Sequence, residues 1–517
     1  MRKSSRAASA AYAAMCVLVA LYGAAILMFM RKSVYQLPVF LLISGAAVLV
    51  LALLSRKEKP LGIVLPEQAD PLNPRVFFAA AGLSLLVSLV YQFAFFPCGF
   101  STDTAYQWQQ LNGEMPLTDW HPALHTMLLW LCTRIVDHPA FALLVQSVLY
   151  ASAVGYAAAS MRSWRVPTPA VALTVLYLSA NPGISNIMAF LWKDCALAVA
   201  VLFLAVQLFH IHCSRGKWLA KKGRPLLLAL TLALCAILRH NGIALSLAAG
   251  VWLLISVPGL KKRALMAVLC AAALFALIKG PLYDAANVQK NATTLDETIG
   301  LPMVVLAHIY AEAPESLDAE TTAFLELLGP REVYVEHYIV GDWNTAKWNL
   351  NALPEDHGYS TIQVFTFAVK AAIKESTLAL RALCSLFGMP LLPTGDAYWR
   401  MTPYTDAAAS QYIIDTGLSN FLSRALNWLC RMTAKPALSW LFWLPGVPLM
   451  LVMAACVLFA RRRPLTALLI PAALIAYHLA TTVVLSSPTD FRFFLPTLIG
   501  APLALAALFM RPCAQNR

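Results

Sequence analysis

The sequence predicts an all-α, polytopic membrane protein with about twelve transmembrane helices, and three observations carry that prediction. Of 517 residues, 60% are hydrophobic and only 13% charged, with a mean hydropathy of +0.66, a balance that no ordinary soluble chain of this length sustains. Apolar windows long enough to cross roughly 30 Å of hydrocarbon recur along the chain between short loops. Lys and Arg gather in alternate loops only, as the positive-inside rule describes. The formal net charge of +13 therefore reads as membrane orientation. No basic and aromatic stripe suited to nucleic acid is present, and no nucleic-acid partner is expected.

Taken in order, the windows lie near 11–30, 37–54, 76–97, 139–160, 167–182, 192–212, 225–239, 241–257, 264–281, 438–460, 464–486 and 491–510. The first follows a short basic start but is too long for the apolar core of a signal peptide, so an uncleaved helix is expected. An even number of crossings puts both termini on one side, here the cytoplasm. The inside loops are then Arg56–Lys59, Arg162–Arg165, Arg215–Arg224, Lys261–Arg263, Arg461–Arg463 and the tail from Arg511, with Arg31 and Lys32 alone out of place. This scheme requires the apolar stretch His121–Val136 not to cross, and a re-entrant or surface-lying helix is expected there.

Five regions follow: N-terminal transmembrane helices at 1–97, an outer catalytic loop at 98–138, a transmembrane core at 139–281, a mixed outer-face subdomain at 282–437, and C-terminal transmembrane helices at 438–517. The catalytic loop opens on a helix-capping signal, Ser101 or Thr102 before Asp103. Asp103, Tyr106, Gln107 and Gln110 would then share one helical face. The outer subdomain holds most of the acidic residues, with turn punctuation at Gly329-Pro330, Pro354 and Pro393. Within it, residues 363–388 are apolar but carry Lys370, Lys374, Glu375 and Arg381 at near-helical spacing, which predicts an amphipathic helix on the membrane surface. The eleven cysteines are scattered without a C-x-x-C pair, as expected of apolar packing.

The loops expected outside hold few basic residues, yet they contain nearly every polar cluster suited to chemistry. Asp103 follows directly after a crossing, where low-dielectric walls can raise a carboxylate's basicity. Asp119, Trp120 and His121 end the same loop. His121 and His125 share a helical face but lack a third ligand, so no metal site is assigned; Asp119 and His121 suit orienting a substrate or bracing the loop. Lys193, Arg239 and Arg492 stand at the outer ends of three different helices. An anionic ligand explains them better than snorkelling does, and a phosphate fits the Arg fork and the Lys point charge.

An acidic residue just after a transmembrane helix, a later His-Pro-x-Leu, an acid opening a further helix and a C-terminal Arg-aromatic-x-Leu-Pro together resemble the GT-C superfamily of membrane glycosyltransferases. The resemblance covers the whole chain in topology and a few short elements in residues. It implies a GT-C-like fold and a polyprenyl-phosphate sugar donor, used on the extracytoplasmic face of the cell membrane toward a glycan, lipid or protein acceptor of the cell envelope. Asp103 matches the family's catalytic base, His121-Pro122-Ala123-Leu124 its His-Pro-Pro-Leu, Asp194 its second loop acid, and Arg492-Phe493-Phe494-Leu495-Pro496 its Arg-Tyr-x-Leu-Pro. Ala123 and Phe493 depart from the pattern, and Lys193-Asp194 stands where many members have two acids, which disfavours a required cofactor and leaves a divalent cation, Mg or Mn, as the alternative. Trp192-Lys193-Asp194 with Arg239-x-Asn241-Gly242 looks closer to a bacterial branch for which no sugar or acceptor is implied.

On this reading Asp103, Asp119, His121 and Asp194 are the catalytic set, Lys193, Arg239 and Arg492 hold the donor phosphate, and Tyr106, Gln107, Trp120 and Asn241 position substrate. Transfer needs a base for the acceptor hydroxyl and positive charge for the leaving phosphate, with inversion if the two lie on opposite faces. A lipid-linked glycan flippase or transporter and a lipid-linked polymer ligase are the alternatives. The gathering of polar clusters at one face rather than the midplane favours the transferase.

Overall fold

A computed structural model describes residues 2–31, 37–56, 63–65, 69–289, 298–353, 358–391, 412–413, 416–459 and 465–512. Lys32, Lys57, Lys59, Arg461–Arg463, Pro354 and Pro393 lie outside the described residues. Among the described residues the regular structure is helical apart from two three-residue strands, Ile63–Leu65 and Met510–Pro512, which pair in parallel.

All the expected apolar windows are helical. They form α1 (Arg2–Arg31), α2 (Leu37–Arg56), α3 (Pro74–Ala94), α6 (Pro139–Ser163), α7 and α8 (Thr168–Ala180 and Pro182–Met188), α9 (Lys193–Cys213), α10 (Arg224–Ile237), α11 (Gly242–Ser256) and α12 (Lys261–Leu277), with α4 (Thr102–Leu111) and α5 (Ala123–Thr133) in the intervening loop. The C-terminal windows give α19 and α20 (Pro436–Phe442 and Gly446–Phe459), α21 (Leu469–Leu485) and α22 (Leu495–Phe509). Local chemistry sets their starts: Asn73 accepts the Arg75 N–H at 2.9 Å ahead of Pro74, and His138 accepts the Ala140 N–H at 3.2 Å ahead of Pro139.

Among the described residues seven helices are each long and apolar enough to cross a membrane, or up to nine spans if two bent pairs count, α7 with α8 at 48° and α19 with α20 at 62°. Shorter apolar segments lie at Pro38–Val50 within α2 and at α10 and α11. The eleven residues of α5 reach about 16 Å, half the hydrocarbon thickness, and lie between α4 and α6.

At the centre stands α9, whose apolar window is 89% buried, against 22% for α3 and 6% for α12. It packs on α6, α10, α21 and α22 through Leu197, Leu202, Phe209 and Ile211, all fully enclosed. Its first two residues are Lys193 and Asp194, so the end of the most enclosed helix is also where the candidate chemistry begins.

The region expected to form the outer subdomain has a core of its own, built by α13 (Gly300–Glu312), α14 (Ala319–Leu328), α15 (Arg331–His337), α16 (Thr361–Lys374) and α17 (Ser376–Gly388) around Leu306, Phe324, Tyr334 and Phe367. One sequence expectation is corrected here. The single amphipathic helix at 363–388 is two helices broken at Glu375, where φ is −113° and ψ 56°. The break lets both α16 and α17 pack on α13, while α17 also reaches α1 and α2. Among the described residues the buried members of this core run to Leu386, and α18 (Gly417–Thr433) packs on α3 and α8.

Candidate active site

The site is assembled by a short backbone pairing that joins two distant loops. Gly99 donates its N–H to the Ala189 carbonyl at 2.8 Å, Leu191 N–H reaches Gly99 O at 3.4 Å, and the Thr104 hydroxyl donates to Leu191 O at 3.3 Å. Phe190 stacks on Trp192 with ring centroids 3.9 Å apart, and the Trp192 indole donates to Ser101 Oγ. A Cβ at position 99 would lie 2.7 Å from the Phe190 ring, so this approach requires glycine. Ser101 in turn caps α4 by accepting the Thr104 N–H at 3.4 Å. The start of α4 and the start of α9 are thereby held face to face, and Lys193 Nζ reaches Asp103 Oδ2 at 2.8 Å.

The third member arrives from the C-terminal part of the chain. Asp490 caps a 3₁₀ turn at Phe491–Phe494, accepting the Arg492 backbone N–H at 3.2 Å and its Nε–H at 2.8 Å. That grip aims Arg492 Nη1 at Asp103 Oδ2, 3.1 Å away. The guanidinium lies against Trp192 at 4.9 Å and Phe493 at 4.8 Å. Behind it, Arg239 pairs with Asp194 and rests on the same Phe493 ring at 4.3 Å. Side-chain exposure separates the two sets: 22% for Asp103 and 14% for Arg492, but 7% for Arg239 and 1% for Asp194. A ligand meets Asp103, Lys193 and Arg492 first, and the Arg239–Asp194 pair supports them from within.

Burial alone would raise the Asp103 carboxyl, but Lys193 and Arg492 outweigh it and hold the group well below the usual carboxylate range. His121 is pushed down to about 3 by burial and then by the Lys193 charge, so its imidazole is neutral at neutral pH. Its ring meets the edge of Tyr106 at 5.5 Å. Burial pushes Asp490 up, with Arg492 opposing.

Asp119 braces the 98–138 loop rather than entering this cluster. One oxygen accepts the Ala123 N–H at 3.0 Å at the start of α5, the other pairs with Lys279, and its carbonyl lies 3.1 Å from His240 Nε2. Lys279 sits in a π-helical turn, Ile278–Leu282, that extends α12. Among the expected positioning residues, Gln107 binds Thr126 at 2.8 Å and His125 at 3.0 Å, and Asn241 donates to Thr481 at 2.7 Å, whereas Trp120 is exposed. Three residues that matter here escaped the sequence reading: Lys279, Asp490 in its gripping role, and Asp342, which meets the Arg492 loop from the outer subdomain. Lys279 carried a signal as a cation within an apolar window, and Asp490 as a member of the polar cluster Asp490-Phe491-Arg492.

Among the described residues no group of three His, Cys, Asp or Glu side chains is placed to hold a metal ion. Asp194, the carboxylate that the GT-C resemblance would offer to one, is engaged by Arg239. The chain matches no protein-family model, no curated protein and no solved structure.

Proposed function

We propose that this chain is a GT-C-type membrane glycosyltransferase that moves a sugar from a polyprenyl-phosphate donor to a cell-envelope acceptor, with the site on the extracytoplasmic face and about twelve crossings carrying it. The observation behind the reading is one carboxylate, Asp103, flanked at 2.8 and 3.1 Å by two cations from different parts of the chain. Those are the parts such a transfer needs. The acceptor oxygen forms a bond to the anomeric carbon, the carbon–phosphate oxygen bond breaks, and the lipid phosphate leaves with the electron pair. Asp103 takes the hydroxyl proton, while Lys193 and Arg492 stabilise charge on the departing phosphate.

Without ligand, both cations are neutralised by Asp103, which makes it a weak base. An incoming phosphate draws Lys193 and Arg492 toward itself, and Asp103 then regains basicity when the substrate is in place.

A groove of about 980 Å³ supports a long-chain lipid as the carrier of that phosphate. Pro167 and Asn181, at opposite ends of α7, both line it, so it follows the helix for about 20 Å. Its walls, among them Leu173, Leu451 and Leu505, are almost wholly apolar. The polar exceptions Asn181 Nδ2 and Tyr177 Oη are enclosed without a protein partner. At the Asn181 end, Gly183 packs against the Phe442 carbonyl and the Phe491 ring, one residue from Arg492.

The deciding experiment supplies purified protein in liposomes with a polyprenyl-phosphate sugar labelled in both sugar and lipid, together with a range of envelope acceptors. A transferase converts the donor to bare polyprenyl phosphate. Relocation of the intact donor between leaflets without loss of sugar would establish a flippase instead.

A further inference from the structure

One carboxylate outside the candidate cluster is buried and ties two distant segments of the chain together. Asp342 is fully buried. It sits in a tight turn of the outer subdomain: its N–H donates to Ile339 O at 2.8 Å, and the Gly341 N–H donates to Tyr338 Oη at 3.0 Å. Gly341 has φ +95°, and a Cβ there would come within 2.6 Å of Ser385 and the Leu386 backbone. The turn is thus seated firmly against α17. Its tip, however, faces away from the subdomain. One Asp342 oxygen accepts the Asn344 N–H at 3.0 Å, the other accepts the Thr489 hydroxyl, and the Trp343 N–H donates to Ser486 O at 3.0 Å. Both of the latter contacts grip the loop whose next residue, Asp490, holds Arg492.

An asparagine could accept the Asn344 N–H at its amide oxygen and donate its Nδ2–H to the Thr489 hydroxyl oxygen, without the cost of burying a charge. Among the described residues no cation forms an ion pair with Asp342. The ionisable groups facing it are Asp490, with Arg492 beyond, and Tyr338, whose ring lies 6.4 Å from His308. Burial pushes the Asp342 carboxyl up to about 7, hydrogen bonds from Thr489 and Asn344 oppose the rise, and Asp490 adds to it. When the proton leaves, a second negative charge appears beside Asp490, and Arg492 is drawn toward that side and away from Asp103.

We propose that Asp342 is a positioning residue through which the outer subdomain holds the Ser486–Asp490 loop, and so sets how strongly Arg492 is available to an anionic lipid headgroup. The proposal deepens the transferase reading and rests on it for the identity of the anion, but the clasp itself can be tested without any ligand.

The variants are Asp342→Ala, Asp342→Asn and Thr489→Val, the last being close to isosteric and safe for folding. The first readout is hydrogen exchange of residues 486–494 in the ligand-free protein. The second is affinity for long-chain polyprenyl phosphate between pH 5.5 and 8.5. Asp342→Ala should raise exchange in the loop and weaken binding, each by about tenfold, as for loss of a buried charged hydrogen bond. Thr489→Val should do the same more mildly. Asp342→Asn should keep the loop protected and bind well, yet lose the fall in affinity that the wild type shows as pH rises through 7. Unchanged exchange in both Asp342→Ala and Thr489→Val would refute the clasp, and a wild-type pH profile in Asp342→Asn would refute its titration. Failure of the wild type to bind polyprenyl phosphate would instead count against the transferase reading, with hydrogen exchange still deciding the clasp.

Discussion

Replacing Asp103 by Asn separates catalysis from binding in a way the geometry makes specific. The carboxylate holds two cations, but they do not lose equally. Arg492 keeps Asp490 at 2.8 Å, whereas Lys193 has its ion pair at Asp103 and is only 11% exposed. Removing one partner of a buried pair costs on the order of 3–5 kcal/mol. Partial exposure and the amide oxygen, which still accepts a hydrogen bond, reduce that to about 2 kcal/mol here. The same change removes the group that competes with an incoming phosphate for Lys193 and Arg492, so affinity for polyprenyl phosphate should rise by about tenfold, or about 1.4 kcal/mol. Turnover should fall by on the order of 10²–10⁴, because an amide cannot take the proton. Since the native carboxyl lies below the usual carboxylate range, its pairing stabilises the protein above the unfolded value near 4 and fades only at lower pH. The stability gap between the two proteins should therefore be constant from pH 5 to 8. Thermal unfolding in detergent, equilibrium binding of labelled polyprenyl phosphate and donor consumption measure the three effects. Turnover near that of the wild type would remove Asp103 as the base, and weaker binding would show that the carboxylate does not compete with phosphate.

Arg492→Lys should weaken polyprenyl-phosphate binding despite keeping the charge, because the fork that reaches both Asp490 and Asp103 is lost. Arg492→Ala should cost on the order of 2–4 kcal/mol in transition-state stabilisation, read from donor consumption. Gly99→Ala drives a methyl into the Phe190 ring and should shift Asp103 from Lys193, costing about 1–3 kcal/mol in thermal stability and most of the activity; normal turnover would mean the backbone pairing does not set the site. Asp342 binds a proton in the folded state between the unfolded value near 4 and about 7, so its ionisation lowers stability as pH rises through that window, and Asp342→Asn should flatten the decline in a pH series of unfolding temperatures. A cysteine within 340–350 should react with an impermeant reagent added outside intact cells while one near Lys221 does not, and the reverse labelling would invert the topology.

Much of this site was legible because membrane chains advertise their polar positions. A charge at the end of an apolar window stands out, and Asp103, Lys193 and Arg492 do meet. Their exact pairings were not legible, since adjacency in sequence misleads at a helix start. Lys193 and Asp194 are consecutive, but successive helical residues point about 100° apart, so one faces Asp103 and the other Arg239. Lys279 reaches Asp119 only because the chain widens into a π turn, which no apolar periodicity announces. Asp342 sits in an irregular turn where no repeat marks an inward position, and its partner lies 147 positions away. The break at Glu375 was hidden for a different reason. Both helices flanking it are amphipathic, and a pattern that continues across a bend reads as one helix.

The near-complete enclosure of α9 bears on how this protein tolerates its surroundings. Bilayers differ in thickness by several Å, and a spanning helix answers by tilting or by deforming the lipid beside it. With 89% of its apolar window buried, α9 has almost no surface left for lipid, whereas the window at α12 is 6% buried and packs on α10 along one side only. Thickness changes are therefore taken up at the periphery, and the helix that carries Lys193 and Asp194 stays fixed relative to the loops that meet it. Adaptation to different lipid compositions should then alter the tilt of α12 while leaving the distance between Lys193 and Asp103 unchanged.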